Sequence, residues 1–257
     1  MVYKNNQNND NKKGRGVLIA AIAFFACLAC FAAYMAFKPY IESDKRQQDF
    51  DRLADNTQQQ EEALTNRDGI LLKYRDSYRL NSDMAGWIKI DNTKIDYPVM
   101  YTPDDANYYL RRDFNKEYSV YGVPYIGLDC TPTSDSVIIH GHSSRSGIMF
   151  GELPLYKEQS FFRDNQIINF DTLHTQRQYR IFAAARFSVD EEDYLPYYYG
   201  GEMTTAEYSQ MVNWLVEKSL YDTGNVPENY EQILILSTCD DYEETPDRFI
   251  VAAYRIK

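Results

Sequence analysis

Short runs of β-prone apolar residues alternate with turn signals along the C-terminal two thirds of this chain. Eight such runs predict strands at residues 87–90, 94–100, 121–129, 136–142, 166–171, 177–189, 231–239 and 248–256. So many short strands in about 170 residues favour a closed barrel over an open sheet. The predicted fold is therefore mainly β, a closed barrel of eight strands.

A helix pattern interrupts the strands after the sixth run. Thr204 and Glu207 stand three residues apart as a capping box, and the next apolar residues recur at helical spacing: Tyr208, Met211, Val212 and Leu215. We expect one inserted helix, lying before the seventh strand and covering one side of the barrel.

The N-terminal pattern is that of a membrane anchor. Residues 17–37 are 21 consecutive uncharged positions, enough to cross a hydrocarbon core of about 30 Å. A cleaved signal peptide is the alternative, but its apolar region usually has only about 7 to 15 residues. Residues 1–16 carry four basic residues and one acidic residue, which predicts that this tail stays in the cytoplasm.

The segment after the anchor is polar at first. Residues 38–80 are rich in charge and glutamine, and they end with Ile70, Leu71, Tyr74 and Tyr78 at helical spacing. This pattern predicts a stalk and N-terminal helices that lead into the barrel at residues 81–257. We expect the span to place this barrel outside the cell.

Charge narrows the choice of partners. Beyond residue 16 the chain holds 23 basic and 37 acidic residues, a net charge of −14. Such a surface argues against nucleic acid or anionic lipid as a ligand, because both carry phosphate charge. It is compatible with a cationic amine substrate.

Candidate chemistry lies at the end of the seventh strand and the start of the eighth. Cys239 ends one run and Arg248 opens the next, so antiparallel pairing would set a thiol opposite a guanidinium. A cation there lowers the pKa of a thiol from roughly 8.5 and can stabilise an oxyanion. A small buried cysteine beside a surface arginine would give the same pattern without any function.

A histidine and the other cysteines complete the candidate set. His142 follows Gly141 at the end of the fourth predicted strand, where an imidazole can act as a general acid and base. The chain has three histidines in all, the others being His140 and His174. Cys27 and Cys30 lie in the apolar span and are expected to be packing residues, whereas Cys130 is predicted to be a free thiol in a turn.

These motifs resemble the sortases, membrane-anchored cysteine transpeptidases of Gram-positive bacteria. The resemblance rests on Gly141-His142, on Leu236-Ser237-Thr238-Cys239 and on Arg248. It extends over roughly residues 80–257, and several further segments are similar to the class B branch: 86–90, 95–99, 108–110, 149–151 and 155–156. It implies a sortase-type barrel with a helix inserted before the cysteine strand, and an enzyme that needs no cofactor.

The resemblance also implies roles and partners. Cys239 would form a thioacyl intermediate, His142 would transfer protons, and Arg248 would hold the substrate or the oxyanion. Ser237 and Thr238 would shape the pocket floor and contact the substrate. Asp241, two residues past Cys239, is a further candidate for orienting His142 or binding substrate, with a merely solvated acidic loop as the alternative. The partners would be secreted proteins with a C-terminal sorting signal and a cell-wall precursor amine, or a pilin lysine if the enzyme polymerises pilins.

Other functions explain less of the pattern. A papain-like peptidase places its cysteine before its histidine, the reverse of the order here. A metal site could use His140 and His142 with His174 or an acid, but it leaves Cys239 and Arg248 unexplained. An inert anchored binding module would need no reactive thiol at all.

Overall fold

The eight apolar runs do form eight strands. A computed structural model describes residues 7–58, 69–188, 200–239 and 247–257. The strands are β1 Met84–Lys89, β2 Asp96–Met100, β3 Tyr125–Ile126, β4 Ser136–His140, β5 Ile167–Thr172, β6 Gln178–Ser188, β7 Ile233–Cys239 and β8 Asp247–Arg255. The helices are α1 Gln7–Gln58, α2 Leu72–Leu80, α3 Gln159–Asp164 and α4 Thr205–Lys218, with 3₁₀ helices at Tyr108–Arg111 and Leu153–Lys157.

The strands close into a barrel in the order β1-β2-β3-β4-β7-β8-β6-β5. Most neighbours are antiparallel, but β2 pairs with β3 and β4 pairs with β7 in parallel. A parallel pair needs a crossover connection, and the chain between β4 and β7 supplies it with β5, β6 and α4. The predicted closed barrel of eight strands is confirmed.

Strand β7 is buried from Ile233 to Thr238. Its residues Ile233–Leu236 are all 0% exposed, and β4 and β8 flank it on either side. A strand covered on both faces needs an unbroken apolar sequence rather than an alternating one. This requirement explains the run Ile-Leu-Ile-Leu that ends in Ser237-Thr238-Cys239.

The inserted helix begins where the capping box predicts. The Thr204 hydroxyl accepts a hydrogen bond from the Glu207 amide at 3.3 Å, and the Glu207 carboxylate accepts one from the Thr204 amide at 2.7 Å. The helix α4 packs on β6, where the Trp214 ring meets Phe187 edge to face at 5.8 Å between centroids. The expected helix on one side of the barrel is confirmed.

Residues 47–257 form one compact unit, and the first 46 residues form another. Within the larger unit, the end of α1 packs through Phe50 on Tyr97, with ring centroids 5.2 Å apart. Helix α2 packs through Tyr74 on Trp87, at 6.1 Å between centroids. The aromatic stripe predicted near residue 74 is therefore a packing surface.

Helix α1 contains a segment long and apolar enough to cross a membrane. This segment, Ala23–Asp55, has 33 residues and a mean hydropathy of 1.5. A signal sequence near the N-terminus can have the same length and composition. The predicted boundaries at residues 16, 37 and 80 stay predictions.

The strand boundaries differ from the expected ones by at most three residues, except at the start of β3. Strand β3 is only Tyr125–Ile126 instead of residues 121–129, because Gly122 at φ +59° belongs to a turn. Strand β4 ends at His140 rather than at His142. His142 therefore lies in a loop just beyond the strand and is not part of the sheet.

Candidate active site

The predicted hairpin of cysteine and arginine has the expected register. Strands β7 and β8 are antiparallel, and Cys239 stands directly opposite Arg248. Arg248 is half-buried, and on its other side it pairs with Phe187 of β6. Its Nη1 donates to the carbonyl of Asp247 at 3.2 Å. Asp241, the predicted partner of His142, lies outside the described residues.

Strand β7 also holds the Gly-His segment in place. The Gly141 amide donates to the carbonyl of Ser237 at 3.1 Å, and the Thr238 hydroxyl donates to the carbonyl of Gly141 at 2.8 Å. Ser237 and Thr238 are 1% and 2% exposed. The bond to Gly141 uses the one hydroxyl proton of Thr238. This side chain therefore helps to position the loop that carries His142.

Gly141 is required by close packing. A Cβ atom at this position would lie 2.6 Å from Cδ2 of Phe150, whose ring is fully buried. The Phe150 amide in turn donates to the carbonyl of His142 at 3.0 Å. The backbone of the Gly-His motif is therefore held on one side by β7 and on the other by Phe150.

The His142 ring has a partner that the sequence did not indicate. Its Nε2 lies 2.7 Å from the carbonyl oxygen of Leu110, in the first 3₁₀ helix. A carbonyl oxygen can only accept, so Nε2 carries a proton and Nδ1 is the nitrogen that gains and loses one. The neutral ring can then act as a base through Nδ1.

His140 occupies the same face of the sheet as Arg248. It pairs with Ser237 in the parallel ladder, and Ser237 and Arg248 share a face because Ser237 stands opposite Ile250, two residues from Arg248. Burial, with the positive charge of Arg248 as a smaller cause, lowers the pKa of His140 to about 4. His140 is therefore a neutral ring at ordinary pH, beside the candidate site.

The remaining candidates lie apart from this cluster. His174 is in the turn between β5 and β6, at the end of β6 away from Arg248, and its Nδ1 is 3.0 Å from the carbonyl of Gly69. Cys130 is a free thiol, as predicted, but it is only 3% exposed and burial raises its pKa. Neither residue has the setting of a nucleophile or its base.

The arrangement joins a cysteine position, an arginine and an oriented histidine on three neighbouring strands and their loops. A family model described as the sortase domain matches residues 88–256, which include all of these residues. The chain belongs to the sortase family. Sortases are cysteine transpeptidases of the cell surface, and membership of the family assigns the chain to this class of enzyme.

The curated relatives place the chain near the class B branch of the sortases. It is 26% identical to sortase B of Staphylococcus aureus (strain NCTC 8325 / PS 47) over 223 residues, covering 85% of this chain and 88% of that one. It is 30% identical to sortase B of Listeria monocytogenes serovar 1/2a over 191 residues, covering 71% and 74%.

A solved structure supports the same assignment. The structure described as a Staphylococcus aureus sortase B-substrate complex has a TM-score of 0.69 and 26% sequence identity to this chain. The match covers 86% of this chain and 98% of that one. The barrel and its inserted helix are thus the sortase fold that the sequence resemblance implied.

His140 predicts a weakness of this sortase in acid. Its folded pKa of about 4 lies below the ordinary 6.5, so the unfolded chain takes up this proton first as pH falls. We expect the free energy of unfolding to fall between pH 6.5 and 4, by up to about 3 kcal/mol from this residue. Urea unfolding at several pH values should show that the free energy of unfolding falls less steeply with decreasing pH in His140→Gln than in the normal protein. His174→Gln, in the exposed turn, is the matched control, and an unchanged slope in His140→Gln would contradict the assignment.

Proposed function

We propose that the protein cleaves a C-terminal sorting signal after threonine and transfers the new acyl group to an amine of a cell-wall precursor. The observation that carries this proposal is the pairing of β7 with both β4 and β8. One strand thereby sets Cys239 opposite Arg248 and holds the backbone of Gly141 beside it. Membership of the sortase family supports the same reaction class.

In the first half-reaction the sulfur of Cys239 attacks the carbonyl carbon of the threonine. A carbon–sulfur bond forms, and the carbon–nitrogen bond to the next residue breaks. The leaving nitrogen takes the proton that His142 holds on Nδ1, while Nε2 keeps its own proton on the carbonyl of Leu110. The products are a thioacyl-enzyme and a released peptide with a free amine.

In the second half-reaction an incoming amine attacks the thioacyl carbon. A carbon–nitrogen bond forms, the carbon–sulfur bond breaks, and Nδ1 of His142 accepts the proton that the amine loses. Cys239 leaves as a thiolate and the protein returns to its first state. Water in place of the amine would give hydrolysis through the same steps.

Arg248 supplies the positive charge in this proposal. Both half-reactions pass through a tetrahedral oxyanion, and a guanidinium donates two parallel hydrogen bonds to such a group or to the substrate backbone. Its place opposite Cys239 in the strand register supports this role. The buried Ser237 and Thr238 would support the floor of the pocket. The Thr238 hydroxyl donates its proton to Gly141, and its oxygen would still accept a hydrogen bond from the substrate.

Two features support a substrate and an acceptor of these classes. The similar Staphylococcus aureus sortase B structure is described as a complex with its substrate, so a chain of this fold accommodates one. The acidic character of residues 17–257, with a net charge of −14, suits a cationic amine acceptor. A wall-precursor amine and a pilin lysine share that chemistry, and an acceptor assay separates them.

We further propose that α1 anchors the protein in the cell membrane with its N-terminus in the cytoplasm. Large apolar side chains between residues 24 and 41 of this helix are exposed, for example Phe25 at 67% and Ile41 at 63%. Apolar surface of this extent needs a cover, and lipid provides one. The basic tail before Val17 favours the orientation that leaves the barrel outside.

The nucleophile gives the main test of the proposal. Because the thioacyl bond needs sulfur at position 239, Cys239→Ala should abolish cleavage of a sorting peptide and leave the fold intact. The purified protein would be offered a panel of Pro-x-Thr peptides with triglycine or a lysine peptide as the acceptor, and mass spectrometry would identify the products. The favoured acceptor distinguishes wall anchoring from pilin polymerisation.

Matched controls come from the residues outside the site. Cys130→Ala should keep nearly full activity, since Cys130 is a buried free thiol apart from the cluster. His142→Gln should lose nearly all turnover, whereas His174→Gln should keep it. Turnover by Cys239→Ala at more than about a hundredth of the normal rate would refute the mechanism.

Arg248 gives a second prediction. Lysine keeps the charge but loses the planar fork, so Arg248→Lys should lose most of kcat/KM and Arg248→Ala still more. One oxyanion donor is worth roughly 2.7 to 4 kcal/mol in other acyl-transfer sites, so we expect a loss on the order of 10² to 10³-fold. Arg186→Lys, on the neighbouring strand and half-exposed, is the control. A normal rate in Arg248→Lys would remove the residue from the site.

The orientation in the membrane gives a third prediction. Protease added outside intact cells that lack their wall should digest the barrel and spare residues 1–16. Immunoblots against a tag at either end would record this result, and a cytoplasmic protein in the same cells would report leakage. Full protection of the C-terminal tag would reverse the orientation and refute the reaction with secreted substrates.

A further inference from the structure

The carbonyl oxygen of Leu110 lies 2.7 Å from Nε2 of the His142 ring. A substitution at Leu110 leaves the backbone carbonyl in the chain. The role of this carbonyl is therefore tested through the residues that position it. Leu110 lies in the 3₁₀ helix Tyr108–Arg111, before a long turn that returns to β3. The direction of this carbonyl decides which nitrogen of His142 carries the fixed proton.

The 3₁₀ helix is anchored from below through Tyr109, which is fully buried. The Tyr109 hydroxyl donates to the carboxylate of Asp83 at 2.8 Å and accepts from the Asn81 amide at 2.7 Å. Lys116 adds an ion pair to Asp83 at 2.9 Å. Although burial opposes ionisation, the hydrogen bonds from Lys116 and Tyr109 lower the pKa of Asp83. These contacts hold the 3₁₀ helix that contains Leu110 in one position.

Gly122 packs closely against the same carbonyl. Its φ angle is +59°, and a Cβ atom here would lie 2.6 Å from the Leu110 oxygen and 2.6 Å from the Tyr109 oxygen. Real Cβ atoms do not approach backbone oxygens so closely, so any side chain at 122 must displace these carbonyls. The neighbouring Val123 amide donates to the Tyr109 carbonyl at 3.2 Å and locks the contact.

We propose that Gly122 is a positioning residue of the transpeptidase, which fixes the Leu110 carbonyl so that His142 keeps its proton on Nε2 and reacts through Nδ1. The inference rests on the proposed function, because only there does His142 transfer protons. It gives the histidine an orienting partner that belongs to the backbone. The residues that decide this geometry are 20 and 32 positions before His142 in the chain.

Gly122→Ala and Gly122→Asn test the proposal, with the same changes at Gly224 as matched controls. Gly224 also has a positive φ of +68°, but no atom lies within 4 Å of its added Cβ. Asparagine tolerates a positive φ better than alanine does. If collision with the Leu110 carbonyl matters, both Gly122 variants should lose about 10 to 100-fold in kcat with little change in KM. Both Gly224 variants should keep activity within about twofold.

Nitrogen-15 NMR of histidine-labelled protein adds a readout that needs no catalysis. The normal protein should show His142 protonated at Nε2 and His174 protonated at Nδ1, since Nδ1 of His174 faces the Gly69 carbonyl. His174 is therefore an internal standard of the opposite tautomer. In both Gly122 variants the His142 signals should move toward a mixture of tautomers, while those of His174 stay fixed.

Three results would overturn the proposal. Normal activity in Gly122→Asn with loss in Gly122→Ala would show that backbone strain alone matters. Lost activity with an unchanged His142 tautomer would show that Gly122 acts by another route. If the variants fail to fold, a His142 ring without a proton on Nε2 in the normal protein would still refute it. A normal protein with the Nε2 tautomer but no transpeptidase activity would instead refute the proposed function alone.

Discussion

The structure depends above all on the position of β7 between a parallel and an antiparallel neighbour. The ladder to β8 sets Cys239 opposite Arg248, and the ladder to β4 sets His140 beside Ser237. Two hydrogen bonds then continue from β7 to Gly141, beyond the end of β4. A shift of one residue in either ladder would turn the alternate side chains to the other face and separate the candidate site. The fully buried run Ile233–Leu236 makes such a shift costly, because it is the core of the barrel.

Much of this arrangement was predictable because it follows from local pattern. The eight apolar runs gave eight strands, and Thr204 with Glu207 gave the start of α4, since strand and cap signals both reside in a few neighbouring residues. The opposition of Cys239 and Arg248 was predictable for the same reason, since a hairpin is a local structure. Family resemblance then supplied the role of His142. The extents of β3 and β4 were wrong because turns, rather than apolar residues, set their ends.

Other features could not be predicted, because they depend on contacts between distant segments. The Leu110 carbonyl carries no sequence signal, since every residue has a carbonyl. Gly122 looked like part of a strand, and only the three-dimensional contact shows why a Cβ is excluded there. Likewise, the hydroxyl of Thr238 donates to the carbonyl of Gly141, a contact that the sequence does not indicate. In each case a backbone group is the partner, and backbone partners are invisible in a list of residue types.

The parallel pairing of β4 with β7 also governs when the protein acquires its chemistry. The two strands that it joins are separated by about a hundred residues, and such a pair forms only after a large loss of chain entropy. Until that step the thiol of Cys239 has no histidine loop beside it and is an ordinary cysteine of the unfolded chain. Under the proposed function and orientation, the reaction would be confined in time as well as in space. A newly made chain would cross the membrane before its site is complete, and the closure of the barrel would complete it.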